Sequence, residues 1–331
     1  MMVKIGNIEL PEFPLLLAPM EDVSDPPFRR LCKTHGADLM FSEFISSEGL
    51  IRDAIKSRQK LDIFDYERPV GIQIFGGDEE AMAMSARIVE TVNPDLVDIN
   101  FGCPVKKVVC KGAGAGVLKD IDLMVRLTKA VVNSTSLPVT VKTRLGWDEN
   151  SINIDEVAER LQDVGIKALS IHGRTRAQMY KGEADWSHIA RVKNNPRIQI
   201  PIFGNGDIDS PEKALEYKNK YGVDGLMIGR AAIGYPWIFN EIKHFFNTGE
   251  HLPEPTIADR VEAARNHLKW SIEWKGERAG INETRRHYTN YFKGIANFKE
   301  YRQKLVTNDA AEDVYAAFEE ILQRFGEGQT V

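Results

Sequence analysis

Cysteine is scarce in this chain, which has three (Cys32, Cys103 and Cys110) among 331 residues. So small and odd a set does not provide a disulfide framework. The amino terminus lacks the charged-then-apolar pattern of a secretory signal, and no apolar run approaches the roughly 18 residues that a membrane span needs. We therefore expect a cytoplasmic protein with no membrane partner.

An excess of positive charge is also missing, since the formal net charge is −5. This excludes a uniformly basic surface of the kind that small nucleic-acid binders carry, but not a local basic patch. Such a patch is present between Thr284 and Leu305, where Glu300 is the only acidic residue against six basic ones: Arg285, Arg286, Lys293, Lys299, Arg302 and Lys304. Aromatic residues lie among these cations, and we leave open whether they form a core or an RNA-facing surface.

Short apolar runs of strand type alternate with segments of helical period. The runs are Leu15 to Met20, Asp38 to Phe44, Val70 to Phe75, Leu96 to Phe101, Val139 to Thr143, Ala168 to His172, Ile200 to Phe203 and Gly225 to Ile228. Eight βα units predict a (β/α)8 TIM barrel of the α/β class. The competing open doubly wound sheet usually has a glycine-rich fingerprint after its first strand, and this chain has Pro19-Met20-Glu21-Asp22 there. We therefore favour the barrel.

The alternation ends before a segment rich in breakers, Thr248 to Pro255. From Ala258 onward the apolar residues recur at helical spacing. The sequence therefore predicts two domains, a catalytic TIM barrel over 1–247 and a C-terminal all-helical bundle over 256–331.

Cys103 follows a strand of buried type and precedes Pro104, so it is expected at the tip of that strand. The carboxyl ends of barrel strands are where such folds place their active sites, and a thiol can donate a proton near neutral pH. The alternative is a small apolar core residue.

The seventh and eighth strands lead into Asn205-Gly206-Asp207 and Gly229-Arg230. Loops at these two places often hold a phosphate through backbone N–H groups, and an arginine can grip phosphate oxygens with two donors. Turns that need a positive φ would explain each glycine equally well. Together the two loops predict a phosphorylated ligand.

Lys142 ends the fifth strand, where a buried ammonium must be paired or must neutralise a charge. A reduced flavin carries such a charge, and Gln73 is placed to bond the pyrimidine edge of the flavin. A structural ion pair with Asp98 and a Schiff-base lysine are the alternatives. The nearby thiol favours redox chemistry.

No paired metal-ligand spacing occurs among the seven histidines, so we assign no metal and expect His172 to contact flavin or its phosphate. Lys106, Lys107 and Lys111 lie on a glycine-containing segment after Cys103 that we expect to be flexible. These lysines are either solvated or grip the backbone of a polyanionic substrate.

Taken together, these motifs resemble the tRNA-dihydrouridine synthase family, most closely its bacterial B-type subgroup. The resemblance rests on Ala18-Pro19-Met20, Asp98-Ile99-Asn100-Phe101-Gly102-Cys103-Pro104 with Lys106-Lys107-Val108, Ile171-His172-Gly173-Arg174-Thr175, Asn205-Gly206-Asp207-Ile208, Ile228-Gly229-Arg230-Ala231-Ala232 and, in the tail, Arg285-Arg286-His287. It spans the barrel and continues into the helical tail.

The resemblance implies an FMN-bound barrel with a helical tRNA-binding domain, NADPH as reductant, and reduction of the C5–C6 double bond of particular tRNA uridines. By resemblance, Cys103 is the acid that protonates C5, and Asn100 and Arg144 contact the uracil. The residues that resemble the FMN shell are Pro19, Met20, Glu21, Gln73, Lys142, His172, Asn205, Gly206, Asp207, Gly229 and Arg230. We assign contacts with the tRNA to Lys106, Lys107, Arg285, Arg286 and Lys293, and we expect a monomer.

One departure from the family concerns Glu21-Asp22, because many relatives have small residues after Pro-Met. Two other functions remain open from the residues alone. One is a small-molecule flavin dehydrogenase, which would have no use for the basic tail, and the other is a tRNA binder without catalysis. The sequence does not determine which uridines are reduced or whether NADPH is preferred to NADH.

Overall fold

The computed structural model describes residues 2–326. Its contacts divide the chain into two compact units. The first runs up to Pro26 and resumes over Ala37–Gly229, and the second comprises Pro27–Gly36 and the chain from Arg230. From the sequence we assigned FMN binding and catalysis to residues 1–247 and tRNA binding to residues 256–331. These limits and roles remain a prediction.

The first unit is the predicted parallel barrel, which confirms the fold class. Its strands are β3 (Leu15–Leu17), β4 (Met40–Phe41), β5 (Ile45–Ser46), β6 (Val70–Phe75), β7 (Leu96–Asn100), β8 (Val139–Arg144), β9 (Ala168–His172), β10 (Ile202–Asn205) and β11 (Gly225–Ile228), preceded by β1 (Val3–Ile5) and β2 (Ile8–Leu10). The strand order is β3-β11-β10-β9-β8-β7-β6-β4, with β5 also pairing with β6. A parallel bridge between Leu16 and Leu39 joins the first strand to the second.

Helices of the barrel unit follow the strands, as right-handed βα units require. They are α2 (Ser47–Ile51), α3 (Ile55–Gln59), α4 (Glu79–Glu90), α5 (Lys106–Val109), α6 (Ile121–Val132), α7 (Ile154–Val164), α8 (Ser187–Lys193) and α9 (Pro211–Tyr221). Local chemistry sets several limits: Asp78 accepts the Ala81 N–H at the start of α4, and Gly165 ends α7 at a φ of 113°.

The antiparallel hairpin β1–β2 closes the amino-terminal end of the barrel. Val3, Ile5 and Leu10 pack in one apolar cluster with residues of the barrel strands such as Leu16 and Phe203. Gly6 in the turn lies against Pro138, just before β8. Because this end is closed by apolar side chains, the carboxyl ends of the strands are left to form a site.

The second unit is helical. It comprises α1 (Pro26–Thr34, of which the unit begins at Pro27), α10 (Ile238–Thr248), α11 (Ile257–Lys275), α12 (Glu277–Tyr291), α13 (Lys299–Thr307) and α14 (Ala311–Phe325). Aromatic residues of the basic segment, including Tyr288, Tyr291, Phe292 and Phe298, are buried in its core. Their rings are therefore not a surface for nucleobases. No helix in residues 2–326 combines the length and apolarity of a membrane span.

The segment after Cys103 differs from the flexible loop expected from its glycines. It forms the short helix α5 and a 3-10 turn at Gly114–Lys119. Gly112 and Gly114 adopt positive φ values of 69° and 55°, and the Cys103 carbonyl accepts the Ala115 N–H at 3.0 Å. The glycines therefore serve a tight reversal of the chain that returns to the thiol.

Candidate active site at the carboxyl ends of the barrel strands

The predicted strand-end residues come together in the barrel. The parallel register places Asn100 of β7 beside Lys142 of β8, and His172 of β9 beside both Arg144 and Asn205. These pairs join neighbouring strands at their carboxyl ends, so four consecutive strands contribute polar groups to one rim.

A buried hydrogen-bond network lies beneath this rim, centred on Asp98. Its carboxylate accepts from Gln73 Nε2 at 2.5 Å and from Thr140 Oγ1 at 2.5 Å. Burial raises the pKa of Asp98 to about 6, and the two hydrogen bonds oppose that rise. The charge of Lys142 also lowers the pKa of Asp98, although among residues 2–326 the two side chains form no direct salt bridge.

Asn100 connects this network to the cysteine loop. Its Nδ2 donates to Gln73 Oε1 at 2.8 Å, while its Oδ1 accepts the N–H groups of Gly102 and Cys103 at 2.9 and 2.8 Å. Asn100 was predicted to contact the uracil. That contact remains a prediction, and both ends of the amide also bond protein partners, which fixes the backbone that carries the thiol.

The Cys103 thiol lies in apolar surroundings. The residue is 7% exposed and packs with Val108, Ala113, Phe44 and Phe75. Burial raises the pKa of Cys103, the negative charge of Glu21 adds to the rise, and Arg144 and Lys142 oppose it. The thiol therefore retains its proton at neutral pH, as a proton donor must.

Lys142 is the cation nearest in register to this loop. Burial, followed by repulsion from Arg144, lowers its pKa to about 8, so the ammonium is still charged at neutral pH. Its side chain is half-buried, and among the described residues it pairs with no carboxylate. A partly accessible cation with no carboxylate in direct contact suits a ligand that develops negative charge, and so fits a flavin.

Arg144 ties three loops together. Its Nε donates to the Gly102 carbonyl at 2.8 Å, and its Nη1 donates to the Thr175 and Met179 carbonyls at 3.1 and 2.8 Å. The guanidinium also lies 5.5 Å from the centroid of the Tyr180 ring. Burial lowers the pKa of Arg144 to about 10, so the group stays charged and braces the rim.

Arg174 and Asp207 form a bidentate ion pair with N–O distances of 2.9 and 2.7 Å. Asp207 also accepts the Ala184 N–H at 2.8 Å, and Arg174 Nη1 lies 3.4 Å from His172 Nε2. Asp207 was predicted in the FMN shell, and the structure commits its carboxylate to Arg174. Sequence reasoning gave Arg174 no role, although its position two residues after His172 was a signal.

The two glycine loops differ in what their glycines do. A Cβ at Gly206, where φ is 122°, would lie 2.9 Å from His172 Cδ2, so only glycine fits. A Cβ at Gly229 would meet Ala18 and Met20 at ordinary distances of 3.4 and 3.5 Å. Protein packing therefore does not require glycine at 229. A ligand that approaches the backbone closely would require glycine at this position, and a bound phosphate is such a ligand.

The loop after β3 holds Pro19, Met20 and Glu21. Its backbone is fixed by Ser24, whose Oγ accepts the Met20 N–H at 2.9 Å. Glu21 pairs with Lys60 at 2.8 Å, and Lys60 also lies 3.5 Å from the buried carboxylate of Glu43. Lys60 therefore provides an ion-pair partner for the unusual Glu21, and neither Lys60 nor Glu43 was anticipated from the sequence.

The remaining predicted residues have varied placements. Asn205 Nδ2 donates to the Met227 carbonyl at 2.7 Å, and Arg230 begins a 3-10 turn directly after Gly229. Lys106 and Lys107 are exposed on α5. In the helical unit, the guanidinium of Arg285 pairs with the Asp309 carboxylate at 2.6 Å and donates to the Asn282 side chain. Arg286 follows Arg285 on α12, and Lys293 is exposed.

A parallel barrel with a protonated thiol, a lysine and two glycine loops at its open end defines a barrel oxidoreductase of the flavin-using class. The dihydrouridine synthase (Dus) family model matches residues 16–325. The chain belongs to the dihydrouridine synthase family, in its bacterial B-type subgroup. It is therefore a flavin-dependent oxidoreductase that uses FMN and NAD(P)H, as the sequence predicted.

Curated relatives cover almost the whole chain. The tRNA-dihydrouridine synthase B of Pseudomonas aeruginosa is 40% identical over 327 residues, which are 99% of this chain and 97% of the relative. That of Vibrio vulnificus is 41% identical over 310 residues, 93% of this chain and 95% of the relative. A probable tRNA-dihydrouridine synthase of Rickettsia conorii is 39% identical, covering 91% and 90%.

Solved structures share the fold at low identity. A 2-naphthoyl-CoA reductase complex superposes with a TM-score of 0.59 at 13% identity, over 73% of this chain and 51% of that one. A morphinone reductase variant gives a TM-score of 0.55 at 13% identity, over 78% and 92%. These similarities concern the fold alone.

Proposed function

We propose that this protein reduces the C5–C6 double bond of specific uridines in tRNA, with Cys103 as the proton donor to C5. The observation that carries this proposal is the Cys103 thiol, held in protonated form by its apolar surroundings and fixed through Asn100. Lys142, in register with Asn100 on the next strand, supplies the positive charge that the reaction needs.

When FMN is bound at this rim and reduced by NADPH, it supplies the hydride that adds to C6 of the uracil. The residues that would hold it are Lys142 and His172, the loops around Gly206 and Gly229, Arg230, and the backbone at Pro19–Glu21. Gln73 stands beside them, although its amide already serves Asp98 and Asn100. In the FMN shell that we propose, Asp207 holds Arg174 and Asn205 Nδ2 holds the Met227 carbonyl.

Proton transfer from Cys103 completes the reduction. Addition of a hydride at C6 leaves an electron pair on C5, and the thiol S–H bond breaks as a C5–H bond forms, leaving a thiolate. Because the raised pKa keeps the thiol protonated until that charge develops, the step does not need a preceding ionisation. The thiolate then regains a proton from water, which restores the starting state.

The tRNA must offer the target base unstacked, because a base inside a helix cannot reach the rim. We assign the barrel, 1–247, to FMN and catalysis, and the helical region, 256–331, to binding of the tRNA. The cations that we assign to the phosphate backbone of the tRNA are the exposed Lys293 of the helical unit and Lys106 and Lys107 of the barrel. We further propose that the protein acts as a monomer in the cytoplasm.

Removal of the thiol tests the assignment of Cys103. The variant Cys103→Ala should retain FMN and tRNA-independent NADPH oxidation, but form dihydrouridine at least about 100-fold more slowly, since general acid catalysis contributes 10²–10⁴-fold. The exposed Cys110→Ala variant is the matched control and should match the unmodified protein. Normal dihydrouridine formation by Cys103→Ala, measured by mass spectrometry of the tRNA, would remove Cys103 from this role.

A further inference from the structure

Two cations lie against one indole ring on the barrel rim. The Lys119 ammonium is 3.8 Å from the centroid of the Trp147 ring, and the Arg176 guanidinium is 4.7 Å from it. Trp147 and Arg176 are half-buried and Lys119 is exposed. We call these three residues the Trp147 cluster, and neither cation has a place in the reaction described above.

Backbone hydrogen bonds fix the Trp147 cluster to the loops that carry the site. Arg176 N–H donates to the Gly146 carbonyl at 2.9 Å, and the next residue, Ala177, donates to the Trp147 carbonyl at 2.9 Å. These loops follow β8 and β9, the strands that end in Arg144 and His172. Asn153 ties in the segment that carries Lys119, since the Asn153 Nδ2 donates to the carbonyl of the preceding residue, Leu118, at 3.0 Å. The backbone that carries the Trp147 cluster is thus tied to the loops of the rim.

Among the residues that the structure describes, the two cations of the Trp147 cluster lack a counterion, unlike several other cations of the barrel. Arg174 pairs with Asp207, and Arg191 pairs with Asp155. Within the described part of the chain, Lys119 and Arg176 have no carboxylate partner, and the buried Nε of Arg176 has no hydrogen-bond partner. Arg176 also lies close enough to Arg144 for its charge to contribute to the lowered pKa of that group. Like charges held together without a carboxylate attract an anion from outside the chain.

We propose that the Trp147 cluster binds a phosphodiester group of the RNA strand next to the uridine that is reduced. This inference rests on the proposed function and adds to it a contact on the barrel itself. The Arg176 guanidinium lies over the indole and can offer its terminal N–H donors to phosphate oxygens, and Lys119 adds a second positive charge. Because the cluster shares its loops with Arg144, a phosphate bound there positions the strand relative to the Cys103 thiol.

The test compares the double variant Lys119→Gln/Arg176→Gln with a control, Lys129→Gln/Arg87→Gln, which removes two exposed cations from the last turns of α6 and α4. With a tRNA substrate, KM should rise about tenfold while kcat changes less than about twofold, since a phosphate contact contributes to binding rather than chemistry. The slope of log affinity against log salt concentration should fall by about 0.7 for each cation removed. FMN content and NADPH oxidation without RNA should stay as in the unmodified protein.

Several outcomes would overturn the inference. An unchanged KM for tRNA and an unchanged salt slope in the Lys119→Gln/Arg176→Gln variant would do so. In that case, dihydrouridine formation by the unmodified protein would show that the proposed function still stands. A raised KM for NADPH with unchanged tRNA binding would assign the cluster to the dinucleotide instead, and would also overturn it. If the unmodified protein forms no dihydrouridine, the proposed function fails, while the salt slope of tRNA binding still tests the cluster.

Single variants keep the test informative if the double variant does not fold. Lys119 is exposed, so Lys119→Gln should fold normally and should lower the salt slope by about 0.7. Arg176→Lys keeps the charge but loses the planar fork, so its KM should lie between those of the unmodified protein and Arg176→Gln. Equal KM values for the unmodified protein, Lys119→Gln and Arg176→Gln would contradict the proposal.

Discussion

The side-chain oxygen of Asn100 accepts the backbone N–H of Cys103 at 2.8 Å, so the strand end and the thiol loop form one unit. The same oxygen accepts the Gly102 N–H, and the other end of the amide donates to Gln73. Asn100 therefore positions the proton donor whether or not it also touches the uracil. Sequence resemblance gives only the second role.

Loss of this bond should impair the chemical step. We expect Asn100→Ala to lower kcat for uridine reduction about tenfold or more while KM for tRNA changes little, because a small misplacement of the donor weakens proton transfer. Asn195→Ala, which removes an amide bonded to Glu159, should leave both constants unchanged. A rise in KM with normal kcat would mean that Asn100 only binds substrate.

The raised pKa of Cys103 should appear in its reactivity. Iodoacetamide reacts with thiolates, so at pH 8 it should modify the exposed Cys110 at least about ten times faster than Cys103. In Cys110→Ser protein, the alkylation rate of Cys103 should still be rising with pH above about 9, since its pKa is raised above the ordinary thiol value. Peptide mass spectrometry after timed quenching measures both rates, and a plateau below pH 8 would show a depressed pKa instead.

Removal of the Asp207 charge should destabilise the barrel unit. Arg174 is only 2% exposed, so Asp207→Asn leaves a buried guanidinium without its partner, and the free energy of unfolding should fall by about 3 kcal/mol. Asparagine tolerates the positive φ of 55° at this position, so the change isolates the charge. The control Asp155→Asn breaks an exposed pair with Arg191 and should cost less than about 1 kcal/mol. Equal losses in urea unfolding of the two variants would contradict this account.

The helical unit should be sensitive to acid because of its buried histidines. Burial lowers the pKa of His267 to about 3, from the ordinary 6.5. The ring centroid of His287 lies 4.5 Å from that of His267, and burial also holds the pKa of His287 well below its usual range. A folded-state pKa below the unfolded value means that stability is complete above about pH 6.5 and falls as the pH drops toward 3. For His267 alone the loss between pH 7 and pH 5 is about 2 kcal/mol.

His267→Asn tests this dependence without breaking the local contact. The amide can keep the hydrogen bond that His267 Nδ1 makes with the Tyr291 hydroxyl at 3.0 Å, but it does not titrate. The variant should therefore lose about 2 kcal/mol less than the unmodified protein between pH 7 and pH 5. His251→Asn, at an exposed histidine, should leave the acid loss unchanged. An acid loss in His267→Asn as large as in the unmodified protein would place the titration elsewhere.

The barrel itself was predictable because its signals are local. Helix α7 runs over Ile154–Val164 and α9 over Pro211–Tyr221, as their apolar spacing and end signals indicate. Strand limits were less accurate: the first predicted run reached Met20, but β3 ends at Leu17. An apolar residue after a strand carries the same pattern as one inside it, and only the inter-strand hydrogen bonds separate them.

Membership of the site was also predictable, but the partners were not. Cys103, Lys142 and His172 share the rim because all parallel strands end there. The commitment of Asp207 to Arg174, or of Glu21 to Lys60, joins residues 33 and 39 positions apart, and no periodicity reports such a contact. The placement of α1 with the helical unit, where Phe28 lies near His267, was missed for the same reason.

By itself the sequence determined the eight βα units, the helical region that follows them, and the identity of the strand-end residues, since these depend on spacing along the chain and on the motifs of one family. Only the tertiary structure decided which polar groups are spent on protein partners and which remain for a ligand. Hydrogen bonds and ion pairs depend on distances of about 3 Å between residues far apart in the sequence, and those distances exist only once the barrel has closed.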